Sequence, residues 1–172
     1  MWAARVDEGY VFGGLHASMV ETLKGVPMLI ESSDARVRDR LLPETCDDPE
    51  DEVEWRRHAV PELERLFLSR AQLVRRDLAG LRRIAGSEVQ VLLIPDGHTN
   101  AWLASLNAAR LALFALNDLN AAHMEADGLT KASKKQQEAI VRIHLLAEVQ
   151  SVLLGDFEID DSGQSFEEFL LE

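Results

Sequence analysis

The sequence predicts an α+β fold that is mostly α, a bundle of four or five helices beside a small antiparallel β-sheet. Three observations predict it. Residues 54–85, 99–120 and 131–154 repeat their apolar side chains at helical spacing. Residues 2–6, 10–12 and 89–94 form short runs bounded by glycine, acidic turns or proline. A chain of 172 residues, 47% apolar and 28% charged, has the length and composition to bury one core. Residues 1–155 are expected to form a single globular domain, followed by an acidic C-terminal tail over residues 156–172.

Trp2–Val6 and Tyr10–Phe12 flank Asp7-Glu8-Gly9 and read as a hairpin, with Gly13-Gly14 breaking the second strand. Ser18 and Glu21 have capping-box spacing for a helix carrying Met19, Leu23, Val26 and Ile30, with a kink or break at Pro27. A short helix over Ala35–Leu42 ends at Pro43, and the acidic stretch Glu44–Glu52 is expected as a loop. From Glu54 to Ala85 a long helix, irregular at Pro61, gathers Leu63, Leu66, Phe67, Leu73, Val74, Leu78, Leu81 and Ile84 on one face. Gly86 is its expected stop. Val89–Ile94 reads as a strand pairing with the hairpin. The helix around Trp102–Leu119 is apolar nearly all round and should be the central, buried element. A last long helix from about Lys131 to Leu154, with Ile140, Ile143, Ala147 and Leu154 inward, closes at Gly155. Ser165 and Glu168 suggest one further helical turn over Phe166–Leu171.

The net charge of -12 is concentrated in two places. Residues 44–54 hold seven acids and the tail seven more, which leaves 16 acids against 18 bases in the rest. The lone Cys46 excludes an intrachain disulfide, and no stretch has signal-peptide or membrane-spanning character, so the expected location is cytoplasmic. The five histidines lack zinc-site spacing, and Cys46 sits among acids that disfavour a thiolate. Neither a nucleophile elbow nor a phosphate-binding loop is present, so no catalytic residue, metal or cofactor is expected.

Residues 56–83 carry eight arginines against three acids. Arg65, Arg75, Arg76, Arg82 and Arg83 fall opposite the apolar face, a stripe suited to phosphate or to an acidic protein surface. Phe166, Phe169 and Leu170 put apolar side chains into the acidic tail, which is expected to screen the stripe within one chain or across a dimer. Arg70, Asn107, Arg110 and Asn117 are expected among apolar side chains, as buried polar partners or ligand contacts.

Arg38-Asp39-Arg40-Leu41-Leu42-Pro43, followed by Asp47-Asp48 and Val53-Glu54-Trp55-Arg56-Arg57, forms one recognisable stretch. Ala101–Leu113, with its Asn107-x-x-Arg110-Leu111-x-Leu113 centre, forms another. Together they resemble the uncharacterised bacterial family filed as domain of unknown function twenty-seventeen. The resemblance implies a shared fold and no established activity. Segregated charge without a catalytic constellation points to a non-enzymatic regulatory or adaptor-like protein acting through contacts with another protein, with a homodimer conceivable. The alternative is a nucleic-acid-binding regulator using the arginine face, which the net charge disfavours.

Overall fold

The computed structural model describes residues 1–172 apart from positions 85, 126, 158, 160, 171 and 172, and apart from the side chains of Glu168 and Phe169. Strands β1 (Trp2–Val6) and β2 (Gly9–Leu15) form the expected hairpin, joined by Asp7 and Glu8. Gly13-Gly14 does not end β2. The register shifts between Phe12 and Leu15, and Gly14 takes φ +67°, a conformation open to glycine, so the pair makes a bulge inside the strand.

Helix α1 (Ala17–Ile30) starts without the expected capping box: His16 is the N-cap, and Ser18 lies in the first turn with its carbonyl accepting from Thr22 Oγ1 at 2.9 Å. Pro27 lies inside α1 near its end, and the helix continues past it. After α2 (Ala35–Leu41) comes α3 (Pro49–Ala79), 31 residues long. Asp48 caps α3 by accepting from the Glu50 and Asp51 N–H groups at 2.8 and 3.4 Å, and Pro49 needs no donor in that position. The later half of the acidic stretch is therefore the first turn of a helix, where carboxylates complement the helix dipole.

The expected stop at Gly86 is displaced. Helix α3 ends at Gly80, and the chain turns into β3 (Arg82–Arg83), which pairs with β4 (Gln90–Pro95). All pairings among these strands are antiparallel, in the order β1-β2-β4-β3. A 3-10 turn (Asp96–His98) leads into α4 (Thr99–Leu116), followed by the short α5 (Gly128–Lys131). Helix α6 (Lys134–Leu154) is capped by Ser133 and Gln136 reciprocally and closed by Gly155 at φ +80°. Leu154, expected inside, is exposed at that end. The last element among the described residues is α7 (Phe166–Phe169).

The fold is α+β and mostly α, with α4 at its centre touching α1, α2, α3 and α6. Trp102, Leu106 and Leu113 are buried there beside Leu23, Val74, Ile140 and the sheet residues Phe12, Leu92 and Ile94. Each such leucine stabilises the fold by about 1.5–3 kcal/mol through removal from water. The two stretches that suggest the family meet at α2 and α4, where the Arg40 guanidinium lies 5.7 Å from the Phe114 ring centroid. No helix among the described residues is long and apolar enough to cross a membrane.

Candidate protein-interaction surface

Residues paired across an antiparallel sheet share a face, and positions two apart on a strand share it too. Phe12, Leu92 and Ile94 therefore face the helices. Ala4, Val6, Val11, Val91 and Leu93 face away, together with Arg82, the register partner of Val91. Trp2 belongs to this outer face and is 41% exposed. Its indole lies over Gly13, where any Cβ would collide with the ring, so the glycine is what allows it to lie flat.

The tail returns to this outer face. Beyond Gly155, Asp161 bridges Arg5 in parallel, and the Ser162 N–H and Oγ donate to the Arg5 carbonyl at 3.0 and 2.9 Å. The Asp7 N–H donates to the Gln164 carbonyl at 3.0 Å, and the Phe166 N–H to Glu8 Oε2 at 2.8 Å. The tail thus adds to the free edge of β1 and then crosses the sheet. Phe166 is buried among Val6, Val11 and Val91, with Ile84, Leu93 and Leu170 packed around them. At the far edge the Arg82 guanidinium covers the Phe166 ring at 5.3 Å and holds Glu167 through two nitrogens at 2.7 and 2.8 Å. The hydrogen bond with Arg82 holds the Glu167 carboxyl below its ordinary range.

Of the expected interaction residues, this arrangement joins Arg82, Phe166 and Leu170. The Phe169 side chain lies outside the described residues. The arginines do not form one helical stripe, because Arg82 and Arg83 are on β3. Nor, among the described residues, does the tail pair with those on α3. Arg65 pairs with Glu62, Arg75 with Glu31 at 2.6 Å, and Arg76 with His98 at 2.9 Å. Arg83 is exposed, and its side chain has no hydrogen bond or ion pair among the described residues.

The expected buried polar group divides as well. Asn107 is exposed, on the turn of α4 that its buried positions 105, 106, 108 and 109 leave outward. Arg110 is half-buried, and its partner is Gln150 of α6 rather than a neighbour on α4: Nη1 donates to Oε1 at 2.6 Å, while the buried Nε has no partner. Asn117 donates to the Leu113 carbonyl at 2.7 Å, tying off the end of α4. Arg70 is half-buried, and its side chain makes no hydrogen bond among the described residues.

Sequence reading missed one polar cluster. The Asp77 carboxylate on α3, its side chain 6% exposed, accepts from Trp102 Nε1 and meets His98 Nδ1, each at 2.9 Å. His98 Nε2 faces Arg76. The cluster clamps α3 to the start of α4, and no hydroxyl or thiol among the described residues bonds to His98. His98 and Trp102 sit one turn apart, which was the available signal, but Asp77 comes from another helix. Among the described residues no three His, Cys, Asp or Glu side chains are grouped to hold a metal.

A family model described as Domain of unknown function (DUF2017) matches residues 11–156. No curated protein and no solved structure matches the chain.

Proposed function

This chain belongs to the family described as Domain of unknown function (DUF2017), and we propose that it is a non-enzymatic, regulatory or adaptor-like protein that works through protein contacts made by the outer face of its sheet. One observation carries the reading. The outer face already holds a peptide segment, the chain's own tail, through edge pairing with β1 and a buried aromatic at Phe166. Strand addition with side-chain anchoring is a recurrent mode of peptide recognition. Trp2, on the same face of the sheet, is 41% exposed. The pairing of Arg65, Arg75, Arg76 and Arg82 with other side chains speaks against a phosphate-binding stripe. A cytoplasmic setting fits a chain whose one cysteine is free.

The test places a photocrosslinking amino acid at position 2 of the full chain, in its own cells, with position 148 on the exposed side of α6 as control. Nuclease-resistant adducts to another protein from position 2, and far fewer from position 148, are expected. Adducts that nuclease removes, or equal yields from the two positions, would contradict the reading.

A further inference from the structure

We infer that the outer sheet face is a receptor for an extended acidic–aromatic segment of a partner protein, and that the chain's own tail is its built-in competitor. The inference rests on the reading above and adds to it the chemistry of the partner and the means of regulation. The tail displays the specificity of the site. Main-chain pairing with the Arg5 carbonyl and the Asp7 N–H fixes direction and register, and the Ser162 hydroxyl adds one side-chain bond to the Arg5 carbonyl. Identity is read beyond that edge, where an aromatic ring fills the space over Val6, Val11 and Val91. The residue after it must be an acid, because Arg82 both covers the ring and binds the following carboxylate. An apolar side chain four positions after the aromatic, as Leu170 is, completes the contact. A basic segment would meet Arg82 and the exposed Arg83 and be repelled.

The seat of the tail is built for release. Gly155, Asp156 and Phe157, which link the tail to α6, are exposed, and Phe166 is the aromatic buried in the outer cluster. A tethered segment competes at an effective concentration of about 1 mM, so modest intrinsic affinity keeps it in place. A partner segment displaces it only by binding better or by presenting itself at higher local concentration. The tail therefore sets a threshold for engagement.

The probe is a fluorescent peptide with the sequence of residues 157–172, followed by anisotropy against the full-length chain. Two substitutions loosen the tail in place: Phe166→Ser removes its anchor, and Glu167→Arg, an exposed change, repels Arg82 without touching the core. Both loosened variants should bind the peptide about tenfold more tightly than the unaltered chain, the suppression given by a ~1 mM tether on a ~100 μM site. Adding Arg82→Glu, or replacing the peptide's phenylalanine at position 166 by serine, should abolish binding. Failure of the peptide to bind either loosened, folded variant overturns the inference. Exchange of tails between two copies, seen as a dimer of the loosened variants in sedimentation, would assign the face to the chain itself and overturn the assignment to a partner. Protein adducts from position 2 combined with no peptide binding would leave the protein-contact reading standing and remove this one alone.

Discussion

Arg110 buries one guanidinium nitrogen without a partner and spends another on Gln150 of α6. Replacing it by methionine loses a charge-assisted bond worth about 1.5–3 kcal/mol but also removes an unpaired donor costing about 1–3 kcal/mol. The two effects nearly cancel, and Arg110→Met should change stability by no more than about 1 kcal/mol. Gln150→Leu leaves the whole guanidinium unpaired and should be the costlier change, with the double variant recovering the difference. Urea unfolding of the three variants checks this, and a Gln150→Leu variant as stable as Arg110→Met would contradict it. Glu52 presents a different case. Its carboxylate accepts the Thr45 and Cys46 N–H groups, both at 3.0 Å, which with Arg56 beside it hold the carboxyl below its ordinary range. A depressed folded-state pKa stabilises above the unfolded value and loses that contribution as pH falls through the folded one. The Thr45 and Cys46 amides should therefore shift together on acidification, below the range where an ordinary glutamate titrates. Glu52→Gln should produce the same change at neutral pH, and amide shifts flat with pH would refute the linkage.

Among the elements, α3 departs furthest from local expectation. It runs through Pro61, which lacks the N–H for the bond to Arg57 and sits on the exposed side. Only Ala71, Val74 and Leu78 of α3 are buried, so Val53, Leu66 and Leu68 lie exposed along the helix. Pro61→Ala should raise stability, by up to about 3 kcal/mol, and increase hydrogen-exchange protection over residues 54–60. Unchanged protection there would mean that the proline costs the helix nothing. The hairpin, β4, α4 and α6 were legible in the sequence because their evidence is local: period, caps and bounding glycines or prolines. The end of α3 was not. Arg82 and Arg83 lie seven residues beyond Arg75 and Arg76 and so continue the helical stripe by periodicity alone. Their pairing with Val91 and Gln90 decides otherwise, and that contact depends on where β4 lies. The same reason hid Asp77, whose partners His98 and Trp102 are 21 and 25 residues away. Phe166 and Leu170 could be picked out as contact residues because large apolar side chains stand out in an acidic segment. Their seat could not, since it is made by strands at the opposite end of the chain.

At the scale of the whole molecule, a net charge of -12 and the pairing of Arg65, Arg75 and Arg82 with carboxylates leave little to attract nucleic acid. Binding to duplex DNA at physiological salt should be weaker than about 1 μM and should lack the steep salt dependence of a phosphate-tracking surface. Nanomolar affinity would restore the nucleic-acid reading. The proposal of a protein-binding face depends on the tail being seated on the outer face of the sheet, and amide hydrogen exchange compares that seating with its loss most directly. In the full-length chain, the Asp7 and Ser162 amides should be protected. In the Phe166→Ser chain both should exchange faster by at least tenfold, while Leu106 in α4 and Val149 in α6 keep their protection. Equal exchange at Asp7 and Ser162 in the two chains would contradict the account, because it would place the tail off the sheet from the start.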